Sequence, residues 1–226
     1  MNSSGNLHIY FVLDRSGSME SIASDVVGGF NSFLAAQQQD GPDALMTLVQ
    51  FDTQDPHEVL ADAVPIVEMV PLTAHTFLPR SGTPLYDAMG HVIADATIRA
   101  EARRREGLDP EEILFVTFTD GQENQSREYD REKLFELVKK REAQGWTFAY
   151  LGANQDSYAE AGLVGYSDSS IQNFRADATG SAAAFRSLSS SVSRRRSKIR
   201  AGESYDKSDL FEGEKEAEDD LRSRGG

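Results

Sequence analysis

The chain has 226 residues, 39% hydrophobic and 27% charged, which is room for one α/β domain with a sizeable core plus a tail and too little for two full domains. Its 37 acidic and 23 basic residues leave a formal net charge of −14, which argues against a non-specific nucleic-acid or anionic-membrane surface and suits cations or basic partners. With no cysteine, the chain has no disulfide, thiolate zinc site or cysteine nucleophile, and a reducing compartment, the cytoplasm, is expected.

The apolar run Ile9-Tyr10-Phe11-Val12-Leu13 has no basic flank and leads straight into Asp14. It is too short and wrongly bordered for a signal peptide or a membrane span. Residues 9–13, 45–51, 113–119 and 147–151 are β-branched or aromatic runs, continuous rather than alternating, as strands buried on both faces require. Helical patterns separate them. The predicted fold is therefore α/β, a Rossmann-like, doubly wound, mostly parallel sheet with helices on both faces.

The first helix is predicted over 21–38, with Ile22, Val26, Phe30, Phe33 and Leu34 on one face and Gly28-Gly29 marking a close approach to the sheet. After the second strand, a turn leads to one antiparallel edge strand near 58–61, and 65–80 reads as irregular. Thr83 is predicted to cap a helix that Pro84 opens, its apolar stripe running from Leu85 to Ala96 and its solvated, basic end covering 99–106. The strand 113–119 then delivers Asp120-Gly121. A helix over 130–144, a strand over 147–151, one or two turns at 157–161 and a last helix over 176–199 follow. That helix ends in Arg194-Arg195-Arg196, read as a solvated face. From 201 to 226 the chain is acidic and poor in apolar groups, so the domain is expected to span 1–200 and the rest to be a disordered tail, with Leu210-Phe211 as a small anchor for the domain or a partner the alternative.

Ligands of an open parallel sheet bind beyond the carboxyl ends of its strands. Asp14, Ser16 and Ser18 follow the first strand, Asp120 ends a strand on the other side of the topological switch, and Thr83 starts a helix returning to the same edge. Two carboxylates and three hydroxyls, with no imidazole or thiolate, select Mg²⁺, Mn²⁺ or Ca²⁺ over zinc or copper. Each loop alone is equally a helix cap or a turn, and only the constellation separates these readings. Asp52, Asp87 and Glu123 read as turn, helix-dipole or loop charges. His8, His57, His75 and His91 lack a ligand spacing and read as structural or surface residues.

Asp-x-Ser-x-Ser at 14–18, the threonine of Ser81-Gly82-Thr83-Pro84-Leu85 and the aspartate of Phe118-Thr119-Asp120-Gly121 resemble the metal-ion-dependent adhesion site of von Willebrand factor type A domains. The resemblance covers about 7–199, and Gly152-Ala153-Asn154-Gln155-Asp156 is similar to single-domain bacterial or phage members. It implies that Ser16, Ser18 and Thr83 bind a divalent metal through their hydroxyls, with Asp14 and Asp120 acting directly or through water. It further implies a protein partner whose Asp or Glu completes the coordination, a module without catalysis, and work beside ATPase chaperones or in prokaryotic stress and defence systems. A metal-dependent phosphohydrolase and a scaffold with a purely structural metal are the alternatives. Against the former, Ser16 stands where an aspartyl phosphatase needs a second acid.

Overall fold

The structure is a computed structural model that describes residues 6–153 and 157–223. Among these, six strands form one sheet: β1 (Leu7–Asp14), β2 (Ala44–Phe51), β3 (Glu58–Pro65), β4 (Glu112–Thr119), β5 (Thr147–Gly152) and β6 (Ile171–Asn173). Their order is β3-β2-β1-β4-β5-β6, with only the β2/β3 pair antiparallel. The chain steps outward from β1 to β2 and from β4 to β5, so the two directions of winding part between β1 and β4.

Strand alternation divides the core. Ile9, Phe11 and Leu13 join Phe30 and Phe33 of α1 (Ala23–Gln39) and Phe185 and Leu188 of α5 (Ala178–Ala201) on one face. Tyr10 and Val12 join Met89 and Ile93 of α2 (Leu85–Arg105), Leu134 and Val138 of α3 (Arg131–Ala143) and Ala161 of α4 (Ser157–Leu163) on the other. The close approach expected between Gly28-Gly29 and the sheet is instead one between Gly29 and α5, where a Cβ would stand 2.2 Å from the Phe185 ring, whereas Gly28 has open space around it.

The three-residue β6 has no counterpart in the sequence reading, because Ile171-Gln172-Asn173 is too short and polar to register as a strand. Two larger corrections concern charge. Arg195 and Arg196 are buried, not solvated: Arg196 donates to the carbonyls of Gln37 and Gly41 and to Asp43, and Arg195 bonds Thr147 and the Asp206 carbonyl. The segment after α5 is not a free tail either. Leu210, Phe211 and Ala217, the last on α6 (Glu216–Ser223), are buried in the α1/α5 core. A sparse apolar content suffices because the few apolar side chains fall together and the charges pair, as in Lys207 with Glu112 at 2.6 Å and Arg186 with Glu216 at 2.6 Å.

At the far end of β1, His8 bonds Glu111 (3.1 Å) and Thr47 (2.9 Å), and Arg99 grips Glu111 with two nitrogens, so this part of the basic helix end is also paired. Burial pushes His8 below its usual 6.5 against the pull of Glu111. Burial would raise Glu111, but bonds and charge from His8 and Arg99 outweigh it and hold the carboxyl at about 2, below its ordinary 4.5. Both groups bind fewer protons folded than unfolded, so both contribute stability that is lost on acidification: below pH 6.5 for His8, and from 4.5 down through about 2 for Glu111. Urea unfolding should therefore show a stability gap between wild type and Glu111→Gln that narrows from pH 5 to pH 3, and a gap independent of pH would refute the assignment.

Candidate metal centre

The loops after β1 and β4 and the segment before α2 meet at the carboxyl edge of the sheet, beside the β1/β4 switch. Asp14 is fully buried; its Oδ1 accepts the Ser16 N–H (2.6 Å) and its Oδ2 accepts the Thr119 hydroxyl (2.5 Å). Ser16 and Ser18 place their hydroxyl oxygens 3.0 Å apart, and Ser18 Oγ donates to Asp120 Oδ1 at 2.7 Å. Thr83 enters through Gly121: a Cβ at that glycine would lie 3.0 Å from Thr83 Oγ1, 3.4 Å from Ser18 Oγ and 3.6 Å from Asp14 Oδ2. The structure thus brings all five sequence-predicted residues to one place, around a point that only a residue without a side chain leaves open.

The electrostatics identify what the five residues suit. Asp52, also fully buried, lies 2.8 Å from both Arg15 and Arg80; burial alone would raise its carboxyl, but the Arg80 bond, the N–H groups of Gln54 and Asp55 and the Arg15 charge hold it below the usual range. The residue between Asp14 and Ser16 thus turns its guanidinium away, to Asp52 and Glu58. The bonds found to Asp14 come from neutral donors; burial raises it to about 7, hydrogen bonds from Thr119 and Ser16 oppose the rise, and the Asp120 charge adds to it. Burial raises Asp120 as well. A desolvated carboxylate beside a second carboxylate calls for a cation. Among the described residues no three His, Asp or Glu side chains converge, so the set is two carboxylates and three hydroxyls, which fits a hard divalent ion.

The expected Thr83 cap is replaced by a different arrangement. The helix proper starts at Leu85, and its first N–H groups are taken by the loop after β4: Tyr86 N–H by Glu123 Oε2 (2.9 Å) and Asp87 N–H by Ser126 Oγ (3.1 Å). Asp87 in return accepts the N–H groups of Arg127, Glu128 and Tyr129. Asp52, Asp87 and Glu123 are therefore the carboxylates that fasten the loops, with the Arg80 N–H donating to the Arg15 carbonyl (2.9 Å) and the Gly17 N–H to that of Ser81 (2.9 Å). Their pattern in sequence, single acids in turns or at a helix start, offers no sign of this work. Of the stretch 152–156, residues 154–156 lie outside those described.

No family model and no curated protein matches the sequence. Solved structures do. The SpRpn10 VWA domain aligns over 78% of this chain and 92% of its own, with a TM-score of 0.51 and 13% identity. The fold is that of a von Willebrand factor type A domain. The pilus adhesin SpaC from Lactobacillus rhamnosus GG gives 0.61 at 15% identity over 84% of this chain, which spans only 30% of the adhesin's length. Proximal thread matrix protein 1 from the mussel byssus, with a zinc-occupied MIDAS motif, gives 0.54 at 14% identity over 80% of this chain and 46% of that one. Among the described residues, no helix is long and apolar enough to cross a membrane.

Proposed function

We propose that this type A domain is a non-catalytic, metal-dependent protein-interaction module. Ser16, Ser18 and Thr83 would hold a divalent ion through their hydroxyls, with Asp14 and Asp120 acting directly or through water, and the ion would supply an electrophilic point for an Asp or Glu of a partner protein. The observation that carries the reading is the convergence of Thr83, Ser18 and Asp14 on the space left by Gly121, around a buried carboxylate with neutral donors.

Two features favour binding over phosphohydrolysis. Both Asp14 oxygens are engaged by backbone and hydroxyl donors and the side chain is fully buried, a poor placement for a nucleophile. Cavities of about 1280 Å³ between α3 and α4, about 570 Å³ beside Trp146 and about 550 Å³ between α1 and α5 have none of the five residues in their walls. The ion is taken to be Mg²⁺, or else Mn²⁺ or Ca²⁺, on oxygen-donor grounds. The reading extends to a cytoplasmic component of a prokaryotic multi-protein system, supported by the absence of cysteine and by the family resemblance.

Affinity capture from the native host tests it. Partner retention in Mg²⁺, release by EDTA and no capture by Asp14→Ala of unchanged circular dichroism are expected. A partner that stays bound through chelation would instead favour a structural metal, and phosphoester turnover lost in Asp14→Asn would favour the hydrolase.

A further inference from the structure

Nearly two turns into α2, clear of the five rim residues, two histidines from distant parts of the chain meet. His57, at the end of the turn before β3, and His91, on α2, have ring centres 5.6 Å apart with planes inclined by 41°. Each faces a carboxylate: His57 Nε2 lies 3.0 Å from Asp95 Oδ2, and His91 Nε2 lies 3.3 Å from Glu128 Oε2. His91 and Asp95 are four residues apart on α2 and so share one face of it.

Two details set this cluster apart from a pair of surface salt bridges. His57 Nε2 is buried and makes no hydrogen bond in spite of its approach to Asp95. The His91 ring is braced edge-on by Tyr129, centroids 5.5 Å apart, and Tyr129 fits there because residue 90 is glycine: a Cβ would stand 2.5 Å from that ring.

The two His–carboxylate approaches, 3.0 and 3.3 Å, and the 5.6 Å between ring centres lie near the separations that ligands of one tetrahedral ion require. With metal–nitrogen and metal–oxygen bonds near 2 Å, neighbouring donor atoms stand about 3.3 Å apart, and two Nε2-bound imidazoles have ring centres about 5 Å apart. In the structure the four side chains pair two by two, and no three of them converge on one point. The Asp95 and Glu128 side chains, 57% and 65% exposed, have room to reorient towards a shared ion. A cavity of about 390 Å³, with His57 and Asp95 in its wall, opens beside the cluster and supplies an entry path.

We propose that His57, His91 and Asp95, with Glu128 as a fourth donor, form a second divalent-metal site, specific for an imidazole-preferring ion of the Zn²⁺ or Co²⁺ type. The rim site, built only from oxygen, and this one would then divide hard and borderline ions between them.

The test is Co²⁺ titration of the Asp14→Asn protein, which removes the buried carboxylate of the rim, followed by visible absorption. The expected result is one equivalent giving the intense bands of four-coordinate Co²⁺, displaced by Zn²⁺ and not by excess Mg²⁺. His57→Gln and His91→Gln, each confirmed as folded by circular dichroism, should weaken Co²⁺ binding by at least about tenfold. Absence of the four-coordinate spectrum, or a His91→Gln titration that superposes on its parent, overturns the assignment.

Discussion

Replacing Phe211 by alanine should lower the unfolding free energy by about 3–5 kcal/mol, the range for emptying a buried aromatic site. Phe211 is wholly inside the core, with Leu210 and Ala217 in the same cluster as Phe11, Phe118 and Phe185. The backbone around it is fastened at several points. The Ser208 carbonyl accepts hydroxyls from Ser167, Ser169 and Ser170 at 2.7, 2.8 and 2.6 Å, and Arg195 lies over the Tyr205 ring at 4.1 Å while bonding the Asp206 carbonyl. Lys215 reaches the Asp168 carbonyl at 2.7 Å and the Tyr158 hydroxyl at 2.7 Å, and Tyr158 in turn bonds Glu218. The segment closes the α5 side of the core, and an alanine would leave a cavity that these fixed neighbours cannot collapse into. Urea unfolding in excess Mg²⁺ measures the loss, with metal stoichiometry unchanged because the rim is built from other elements. A loss under about 1 kcal/mol would show that Phe211 sits outside the cooperative core.

This segment also shows where the sequence was readable and where it was not. The central strands announce themselves because burial on both faces forces continuous apolar runs, and Asp14 and Asp120 are conspicuous because each ends such a run. The site was therefore legible as separate motifs brought to one edge by a regular topology. The terminal segment was not, since average composition cannot reveal that Leu210, Phe211 and Ala217 fall against a waiting groove. Arg195 and Arg196 were hidden for the complementary reason: a charged run at a helix end reads as solvated, and its partners at Gln37, Gly41 and Asp43 are distant in sequence. Asp87 and Glu123 belong to the same class. Asp87 accepts three N–H groups from the loop after β4 and Glu123 accepts that of Tyr86 at the start of α2, roles that depend on tertiary proximity and leave no local trace. His57 and His91 lack a ligand spacing as a pair because only the fold makes them neighbours, although His91 and Asp95 sit at helical spacing on α2.

Without metal, Asp14→Asn should be more stable than wild type above pH 7, and it should gain nothing from Mg²⁺. The Asp14 carboxyl rises from 3.8 to about 7 on folding, chiefly through burial. The folded state thus binds more protons than the unfolded one between those values, so the metal-free stability falls as pH rises through 3.8 to 7, and the cost is complete above 7. For a carboxyl so displaced, the cost is on the order of 2–4 kcal/mol. Asparagine removes the charge and can keep the contacts: its Oδ1 accepts the Ser16 N–H, and its Nδ2 donates to Thr119 Oγ1, which then turns its proton to the Gly121 carbonyl 3.2 Å away. Metal-free melting at pH 8 should rise by roughly 5–10 °C, at about 2–4 °C per kcal/mol for a chain of this size. Wild type recovers its deficit on binding, by about 2.7 kcal/mol at a hundred times the dissociation constant, and the variant does not. Gly121→Ala separates the two effects: it keeps every donor but sets a methyl 3.0 Å from Thr83 Oγ1, so it should lose the Mg²⁺ response without the metal-free gain. Calorimetric melting of the three proteins at pH 5 and pH 8, with and without Mg²⁺, decides the matter, and a metal-free Asp14→Asn that melts below wild type at pH 8 would mean that the buried charge already has its cation within the protein.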